Sequence, residues 1–474
     1  MIQFTNTLGR KLERFVPIKD GEVRLYTCGP TVWNYPHIGN YRTFLFEDLL
    51  KRFLKYRGYK VIHVMNLTDV DDRIIKVCNE KGLDLKDFTE TYANAFFEDL
   101  KFLGVHFADY YPRATDFVEE MVAIIKGLME KGTAYKVGDG SIYYAIAKFP
   151  RYGELSGIKP AELKVGARVR VDDYGKDSAE DFALWKAWDE QDGKIFWETE
   201  LGKGRPGWHI ECSAMSMKLL GEHFDIHTGG VDNIFPHHEN EIAQSEGFTG
   251  EKFVNYWLHS EHLLINEAKM AKRLGNFITA KDLKDRGIDG LVLRYFLLSG
   301  HYRSQLNFTD NSLEQAAASI KRINEFVFRL NDFLDSSNSG SEPEDAESIS
   351  TVESIRGRYI SALENDLDVP SALAAVFDLI SEGNRILDKG STGRKSAEAF
   401  LGFMNNDFNS VFGVVASRSE ITIEESKLLE ERQIARKAKD WKKSDEIRQK
   451  LLADGIEVQD TPEGQKWRRV TKST

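Results

Sequence analysis

VRLYTCGPTVWNYPHIGNYRTFLFEDLLKRFLKYRGYKVIHVMNLTDVDD, Val23–Asp72, decides the fold. Its opening apolar run, Val23–Thr27, ends in Cys-Gly-Pro, a strand leading into a turn that glycine and proline favour. After Pro36 the apolar residues Phe44, Leu45, Leu49 and Phe53 recur at helical spacing until Gly58 closes the segment. A second apolar run, Lys60–Met65, predicts the next strand, and helical material follows from Arg73. Strand, helix, strand, helix is the order of a parallel sheet wound by right-handed crossovers, so an α/β fold with a Rossmann-type parallel sheet is expected.

Working outward, the order breaks between about Ala114 and Gly204. That stretch holds a helix near Phe117–Lys131, short strands in SIYYAI and ARVRV, and polar turns, and reads as an insertion between two halves of the sheet domain. The pattern resumes with HIECSAMSMKLLG, a helix ending at Gly221, then the strand FDIHTGG and a helix beginning near Pro236. After Arg294 helices take over, among them LEQAAASIKRINEFVFRLNDFL and a segment around Ser371–Leu387. The polar, acidic run Ser336–Ser348 reads as a flexible linker. The expected division is 1–113 and 205–255 for the halves of the sheet domain, 114–204 for the connective insertion, 256–312 for a lysine-loop and stem-contact region, 313–420 for a C-terminal α-helical bundle with its linker at 336–348, and 421–474 for a small basic unit.

A length of 474 residues, 41% hydrophobic and 29% charged, suits several globular domains. No stretch approaches the roughly 20 apolar residues of a membrane span, and MIQFTNTLGRKLERF lacks a secretory apolar run. Three cysteines, Cys28, Cys78 and Cys212, form no close pair, which argues against a disulfide scaffold and for a reducing, cytoplasmic setting. A net charge of −11 argues against indiscriminate coating of nucleic acid. From Glu430 to Thr474, however, twelve Lys/Arg stand against nine Asp/Glu, so the tail is locally basic and able to face phosphates. It also carries Trp441 and Trp467, each either a base-stacking ring or a core residue.

Two elements carry chemistry. PHIGN, Pro36–Asn40, sits where a strand turns into a helix, a position whose unpaired N–H groups attract phosphate and where His37 can donate to a phosphoryl oxygen. EAKMAKRLGN, Glu267–Asn276, places Lys269 and Lys272 in a glycine-ended loop suited to the charge of departing pyrophosphate. Alone, a histidine before a glycine is an ordinary turn and a lysine pair an ordinary surface. Together, an HIGH-like element near the start and a KMSKS-like element after the sheet domain resemble the class I aminoacyl-tRNA synthetases. Asn40 stands where that family usually has histidine, and Ala271 and Arg273 where it usually has serine. Asparagine retains a donor and both lysines are present, so activity is expected to persist.

Four further segments, YTCGPTVWNYPHIGN, NLTDVDDRII, GWHIECSAM and DIHTGGVDNIFPHHENEIAQSE, look like cysteinyl-tRNA synthetases, in order and with suitable spacing. DFALWK (Asp181–Lys186) and WKKSDEIRQKLLADGIEVQDTPEGQKWRR fit the same family, and the resemblance runs from about Phe4 to Arg469. It implies ATP-dependent activation of L-cysteine to cysteinyl-adenylate and transfer to the 3′ end of tRNA(Cys). It implies one Zn²⁺ per chain on Cys28, Cys212, His237 and Glu241, and Mg²⁺ with ATP. It implies His37, Asn40, Lys269 and Lys272 as the catalytic set, Gly29, Thr68, Trp208 and His227 around the amino acid, and Gly230, Asp232 and Met270 with the ATP-binding residues. Asp232 is left between an adenosine and an amino-group role. The tail becomes an anticodon-binding unit, and the enzyme is expected to act as a monomer without a membrane partner.

The residues themselves give partial support for the metal. His237 and Glu241 are four apart in a predicted helix and share a face. Cys28 and Cys212 end elements that a wound sheet can bring together, although no local cysteine pair announces a zinc site. Outside the resemblance, Cys212 and Cys78 read as small buried hydrophobes, and Trp208 as a core residue. Zinc makes chemical sense for this substrate. Shape alone separates near-isosteres such as cysteine and serine by only about a hundredfold, whereas a metal prefers thiolate to hydroxyl outright. Two thiolates and a carboxylate outweigh the charge of Zn²⁺, so Glu241 is expected to be the ligand most easily displaced. A related cysteine:amino-sugar ligase would share the zinc and ATP sites but have no use for the basic tail.

Overall fold

The computed structural model describes residues 1–158, 181–270, 275–336, 345–389, 393–416, 423–461 and 464–469. They form two compact units, one of Met1–Thr279, Leu297–Thr309 and Gly357–Ala374, the other of Ala280–Phe296, Asp310–Arg356 and Ala375–Thr474.

The first unit begins with an antiparallel hairpin, β1 (Gln3–Asn6) and β2 (Lys11–Arg14). Strand β3 (Glu22–Thr27) leads into α1 (Ile38–Tyr56) and β4 (Lys60–Met65). The stripe Phe44, Leu45, Leu49 and Phe53 is buried, and Gly58 takes the left-handed conformation (φ 90°) that stops the helix. Helices α2 (Asp72–Lys81), α3 (Leu85–Phe102) and α4 (Val118–Glu130) follow. An antiparallel sheet of β5 (Ala134–Lys136), β6 (Ile142–Tyr144), β7 (Phe182–Ala187), β8 (Trp197–Thr199) and β9 (Gly202–Pro206), in the order β5-β6-β7-β9-β8, stands beside α4 in the described part of the insertion, and β9 runs past the end expected at 204. The expected strand ARVRV lies outside the described residues.

The α/β order then resumes with α5 (Trp208–Leu220), β10 (Phe224–Gly230), one helical turn α6 (Val231–Asn233), α7 (Glu239–Thr249) and β11 (Val254–Ser260). The regular helix starts at Glu239, later than the expected Pro236, because Phe235 is extended and residues 234–238 form a wide π turn. β11 runs across the boundary expected at residue 255. The central sheet is parallel in the order β11-β10-β3-β4. β3 connects outward through α1 to β4, and β10 outward the other way through α7 to β11. The strand order therefore reverses between β3 and β10, and the crevice at their carboxyl ends is where an open α/β sheet binds ligands. A small sheet, β12 (Leu263–Ile265), β13 (Ala268–Lys269) and β14 (Leu306–Phe308), borders that edge.

The second unit is helical. It takes in α8 (Ala280–Asp285), most of α9 (Gly290–Leu298), α10 (Asp310–Ser336), the first part of α11 (Asp345–Glu364), the later part of α12 (Val369–Asp388), α13 (Arg394–Gly402) and α14 (Asn409–Phe412). Helix occupies both ends of the run expected to be a linker: Ser336 closes α10 and Asp345–Ser348 open α11, which narrows that expectation to residues 337–344, outside the described residues. The tail packs α15 (Ile423–Lys437) and α16 (Trp441–Ala453) on a hairpin of β15 (Ile456–Thr461) and β16 (Gly464–Arg469) around Leu429, Ile447, Leu451, Ile456 and Val458. Arg432, buried among them, donates two 2.9 Å hydrogen bonds to the Asp460 carboxylate.

Candidate metal centre and active site

Cys28 follows the end of β3, Cys212 lies in α5, and His237 and Glu241 flank the start of α7. One donor atom from each of the four lies within 4.8 Å of all the others, and all four residues are buried. The two sulfurs are 4.0 Å apart, and Cys28 Sγ is 4.0 Å from Glu241 Oε1. His237 Nε2 faces the same oxygen at 3.0 Å, so the four-residue spacing does place both side chains on one face. A second quartet, Cys28, His227, His238 and Glu241, meets the same distance limit.

The electrostatics favour a cation. Burial alone would raise the Cys212 thiol, but hydrogen bonding with Cys28 and the nearby His237 charge outweigh it and pull it down to about 6. Burial, reinforced by the Cys212 partner, pushes the Cys28 thiol up. For Glu241 burial is again outweighed, here by His227 and His237, which hold the carboxyl at about 2. His237, against the effect of burial, is raised to about 10 by Glu241 and Cys212. Buried thiols, a carboxylate and an imidazole crowded together are groups that bind a metal by giving up their protons. Soft thiols, an imidazole and a carboxylate are donors that a metal ion accepts.

Other histidines back the cluster. His227 Nε2 sits 2.9 Å from Glu241 Oε2, and its ring stacks on Trp257 with centroids 4.6 Å apart. His209 Nδ1 is 2.9 Å from His237 Nδ1. His238 Nε2 is 3.3 Å from Cys28 Sγ, while its Nδ1 is 2.8 Å from His259 Nε2, and His259 Nδ1 is 2.7 Å from Thr7 Oγ1. His209 and His259 were missed by the sequence reading. His259 lies one residue before the end of β11, a strand that the sequence reading had not set apart.

Beside Cys28 opens a cleft of about 230 Å³, lined also by Gly29, His37, Asn40, Gly230, Asp232, His262, Lys269 and Met270 among others. Residues from 28 to 270 thus meet at the switch point between β3 and β10. HIGN caps α1: the Asn40 N–H donates to His37 Nδ1 (3.2 Å), and the His37 N–H donates to Asn40 Oδ1 (3.1 Å). Because Nδ1 accepts, the neutral ring carries its hydrogen on Nε2. Asn40 in place of histidine therefore closes a capping box and keeps its amide NH₂ as a donor. The Ile38 N–H donates to Ile278 O at 2.9 Å, which ties this helix start to the chain just beyond the lysine loop.

Lys269 Nζ lies 3.1 Å from Asp232 Oδ1 and 3.3 Å from His262 Nε2. Lys272, with Ala271 and Arg273, lies outside the described residues. Gly29 has a packing reason: a Cβ there would stand 1.8 Å from the Asn66 carbonyl oxygen. At Gly230 a Cβ would meet nothing closer than 3.7 Å, so packing does not demand a glycine there. Thr68 and His227 are buried behind the cleft rather than lining it, and the Thr68 hydroxyl donates to Glu211 Oε2 at 2.9 Å. Trp208 is 44% exposed and stacks on His237 with ring centroids 4.5 Å apart, which overturns its reading as a core residue. Cys78 packs with Ile74 and Phe88 in a small satellite core.

A family model described as the class I (C) tRNA synthetase catalytic domain matches residues 14–318. A DALR domain model matches 358–416, and a cysteinyl-tRNA ligase anticodon binding domain model matches 418–468. A cysteine–tRNA ligase of Protochlamydia amoebophila is 47% identical across 98% of this chain and 97% of its own length. One from Brachyspira hyodysenteriae is 48% identical across 99% of both. Among solved structures, Mycobacterium tuberculosis methionyl-tRNA synthetase in complex with methionyl-adenylate shares the fold, with a TM-score of 0.61 over 82% of this chain and 89% of that one at 13% identity. Among the described residues no helix is long and apolar enough to cross a membrane.

Proposed function

The chain belongs to the cysteinyl-tRNA synthetases and is a cysteine–tRNA ligase, and from that premise we propose how its residues divide the work. The observation that carries the reading is the meeting of the Cys28, Cys212, His237 and Glu241 donors at one end of the cleft that His37 and Lys269 line. These four would hold a zinc ion, whose chemistry when bound would favour a thiolate over a hydroxyl and so separate cysteine from serine. The quartet with both cysteines is favoured over the one with His238, because two soft sulfurs suit zinc better than one. Glu241 is held from behind by His227, and Trp208 shields His237 from solvent.

ATP lies along the cleft with its phosphates at the start of α1, where backbone N–H groups and the helix dipole favour negative charge. The cysteine carboxylate attacks the α-phosphorus in line and pyrophosphate leaves. His37 Nε2–H and the Asn40 amide donate to the phosphoryl oxygens, and Lys269 and Lys272 take up the charge of pyrophosphate with Mg²⁺. For Lys269 this means leaving Asp232, which frees that carboxylate for the substrate ammonium and favours the amino-group role over the adenosine one. Gly230 leaves room for the nucleoside. A ribose hydroxyl at the tRNA 3′ end then attacks the cysteinyl carbonyl and releases AMP, while the basic tail holds the anticodon. The amino-sugar ligase alternative has no use for that tail.

The decisive experiment charges purified tRNA(Cys) with cysteine and with serine while zinc is quantified in the same protein. Stoichiometric zinc and a preference for cysteine well above a hundredfold are expected. Equal charging by serine, or an active protein without zinc, sinks the zinc part of the reading.

A further inference from the structure

Glu239 lies between His237 and Glu241, two residues from each. Residues two apart on a helix point to nearly opposite sides. The carboxylate of Glu239, fully buried, turns away from the metal cluster to a loop of the insertion, Arg151–Ile158. Its Oε1 accepts the Gly153 N–H and its Oε2 the Ser156 N–H, both at 2.8 Å. A buried charge without partners is expensive, and two N–H donors to a carboxylate are strong and directional, so Glu239 and the loop fix each other. The loop is itself tightly determined: Gly153 has φ 98°, and a Cβ there would stand 1.9 Å from Ile158 O. The Tyr152 hydroxyl donates to Asn240 Oδ1, extending the grip to the next residue of α7. Neither Glu239 nor the loop lines the cleft.

We propose that Glu239 is a positioning residue for the metal centre. By clamping the loop to the back of α7 it fixes the turn from which His237 and Glu241 face the two cysteines, and so sets how tightly the metal and the substrate sulfur are held. The proposal rests on the zinc reading above.

The test compares the full-length wild type with Glu239→Ala, Glu239→Gln and Tyr152→Phe. It measures zinc affinity by chelator competition, cysteine and ATP KM in pyrophosphate exchange, and the visible spectrum of the cobalt-substituted protein. Glu239→Ala is expected to weaken zinc about 10- to 100-fold, the usual loss for a partner behind the ligands. It should raise the cysteine KM about tenfold, leave the ATP KM unchanged and shift the cobalt bands. Glu239→Gln keeps one carbonyl acceptor and should fall between. Tyr152→Phe, which loses only a hydroxyl, should move the same quantities less. Wild-type zinc affinity and an unchanged cobalt spectrum in all the variants that fold overturn the proposal, whatever happens to thermal stability. A wild type that binds no zinc overturns it together with the reading beneath it, whereas zinc binding that none of the variants alters overturns it alone.

Discussion

Glu241 Oε2 lies 2.9 Å from His227 Nε2, both side chains fully buried, while the other carboxylate oxygen faces His237. A carboxylate held this way from behind keeps one oxygen aimed at a metal, as outer partners of ligands do. The excess negative charge of the site would otherwise make Glu241 the easiest donor to displace. His227→Ala should therefore weaken zinc about 10- to 100-fold by chelator competition. His227→Gln, which restores an N–H donor, should recover part of the loss. Unchanged zinc affinity in His227→Ala would mean that the contact is packing alone.

Lys269 and Asp232 form an exposed pair at 3.1 Å, and such pairs contribute about 0–1 kcal/mol, so opening the pair to receive a phosphate is inexpensive. Lys269→Ala should lower kcat in cysteine-dependent pyrophosphate exchange about 10²- to 10³-fold, the size of effect seen when one stabilising donor is removed. Cysteine affinity should stay within about twofold, since the residue acts on charge that develops only in the transition state. Asp232→Asn should instead raise the cysteine KM. Equal losses in kcat and cysteine affinity for Lys269→Ala would refute its role.

The central sheet was legible because its signals are local. Val23–Thr27, the stripe on α1 and Lys60–Met65 carry their periods within a few residues, and the strand FDIHTGG matches Phe224–Gly230. The strands β8 and β9 were not, because WET is short and GKGRP glycine-rich, and they are held by pairing with each other and, for β9, with β7. The approach of Cys28 to Cys212 spans 184 positions; a wound sheet allowed it, but only the family resemblance joined the two in one ligand set. The backing histidines were illegible for the same reason. His209 meets His237 and His238 meets His259 through tertiary packing, and only the adjacency of His238 to His237 is visible in the chain. The residues alone left Trp208 between the pocket and the core because a tryptophan opening a helix carries no mark of which side faces solvent.

Lys51 gives a pH dependence that does not involve the metal. Burial lowers its ammonium to about 8, although Asp109 is 3.9 Å away, and Nζ donates to the Phe107 carbonyl at 2.6 Å. In the unfolded chain a lysine titrates near about 10.4. Between those values the unfolded state binds more protons than the folded one, so this residue makes stability rise with pH from about 8 to 10. Below pH 8 both states are protonated and the penalty is constant. Urea unfolding of wild type and Lys51→Met across that range should show the difference moving in favour of the wild type as pH rises. A flat or opposite difference would show that the ammonium is not desolvated.

Trp441 and Trp467 separate in the folded tail. Trp441, 56% exposed, opens α16 with the Arg436 guanidinium 5.7 Å from its ring centroid. Trp467 packs against the cluster of Leu429, Ile447, Leu451, Ile456 and Val458. An exposed ring beside a cation is the arrangement that stacks on an unpaired base, worth about 1–3 kcal/mol per base. Trp441→Ala should therefore raise the KM for tRNA about 5- to 150-fold, leave tRNA-independent pyrophosphate exchange unchanged and hardly alter thermal stability. Trp467→Ala should destabilise the tail, by less than the roughly 3–5 kcal/mol of a fully buried tryptophan because its ring is only half-buried. The two variants are distinguished by circular dichroism melting and aminoacylation kinetics on the same preparations. A tRNA KM unmoved by Trp441→Ala would leave anticodon contact to the basic side chains alone, since no other exposed tryptophan lies among the described residues of the tail.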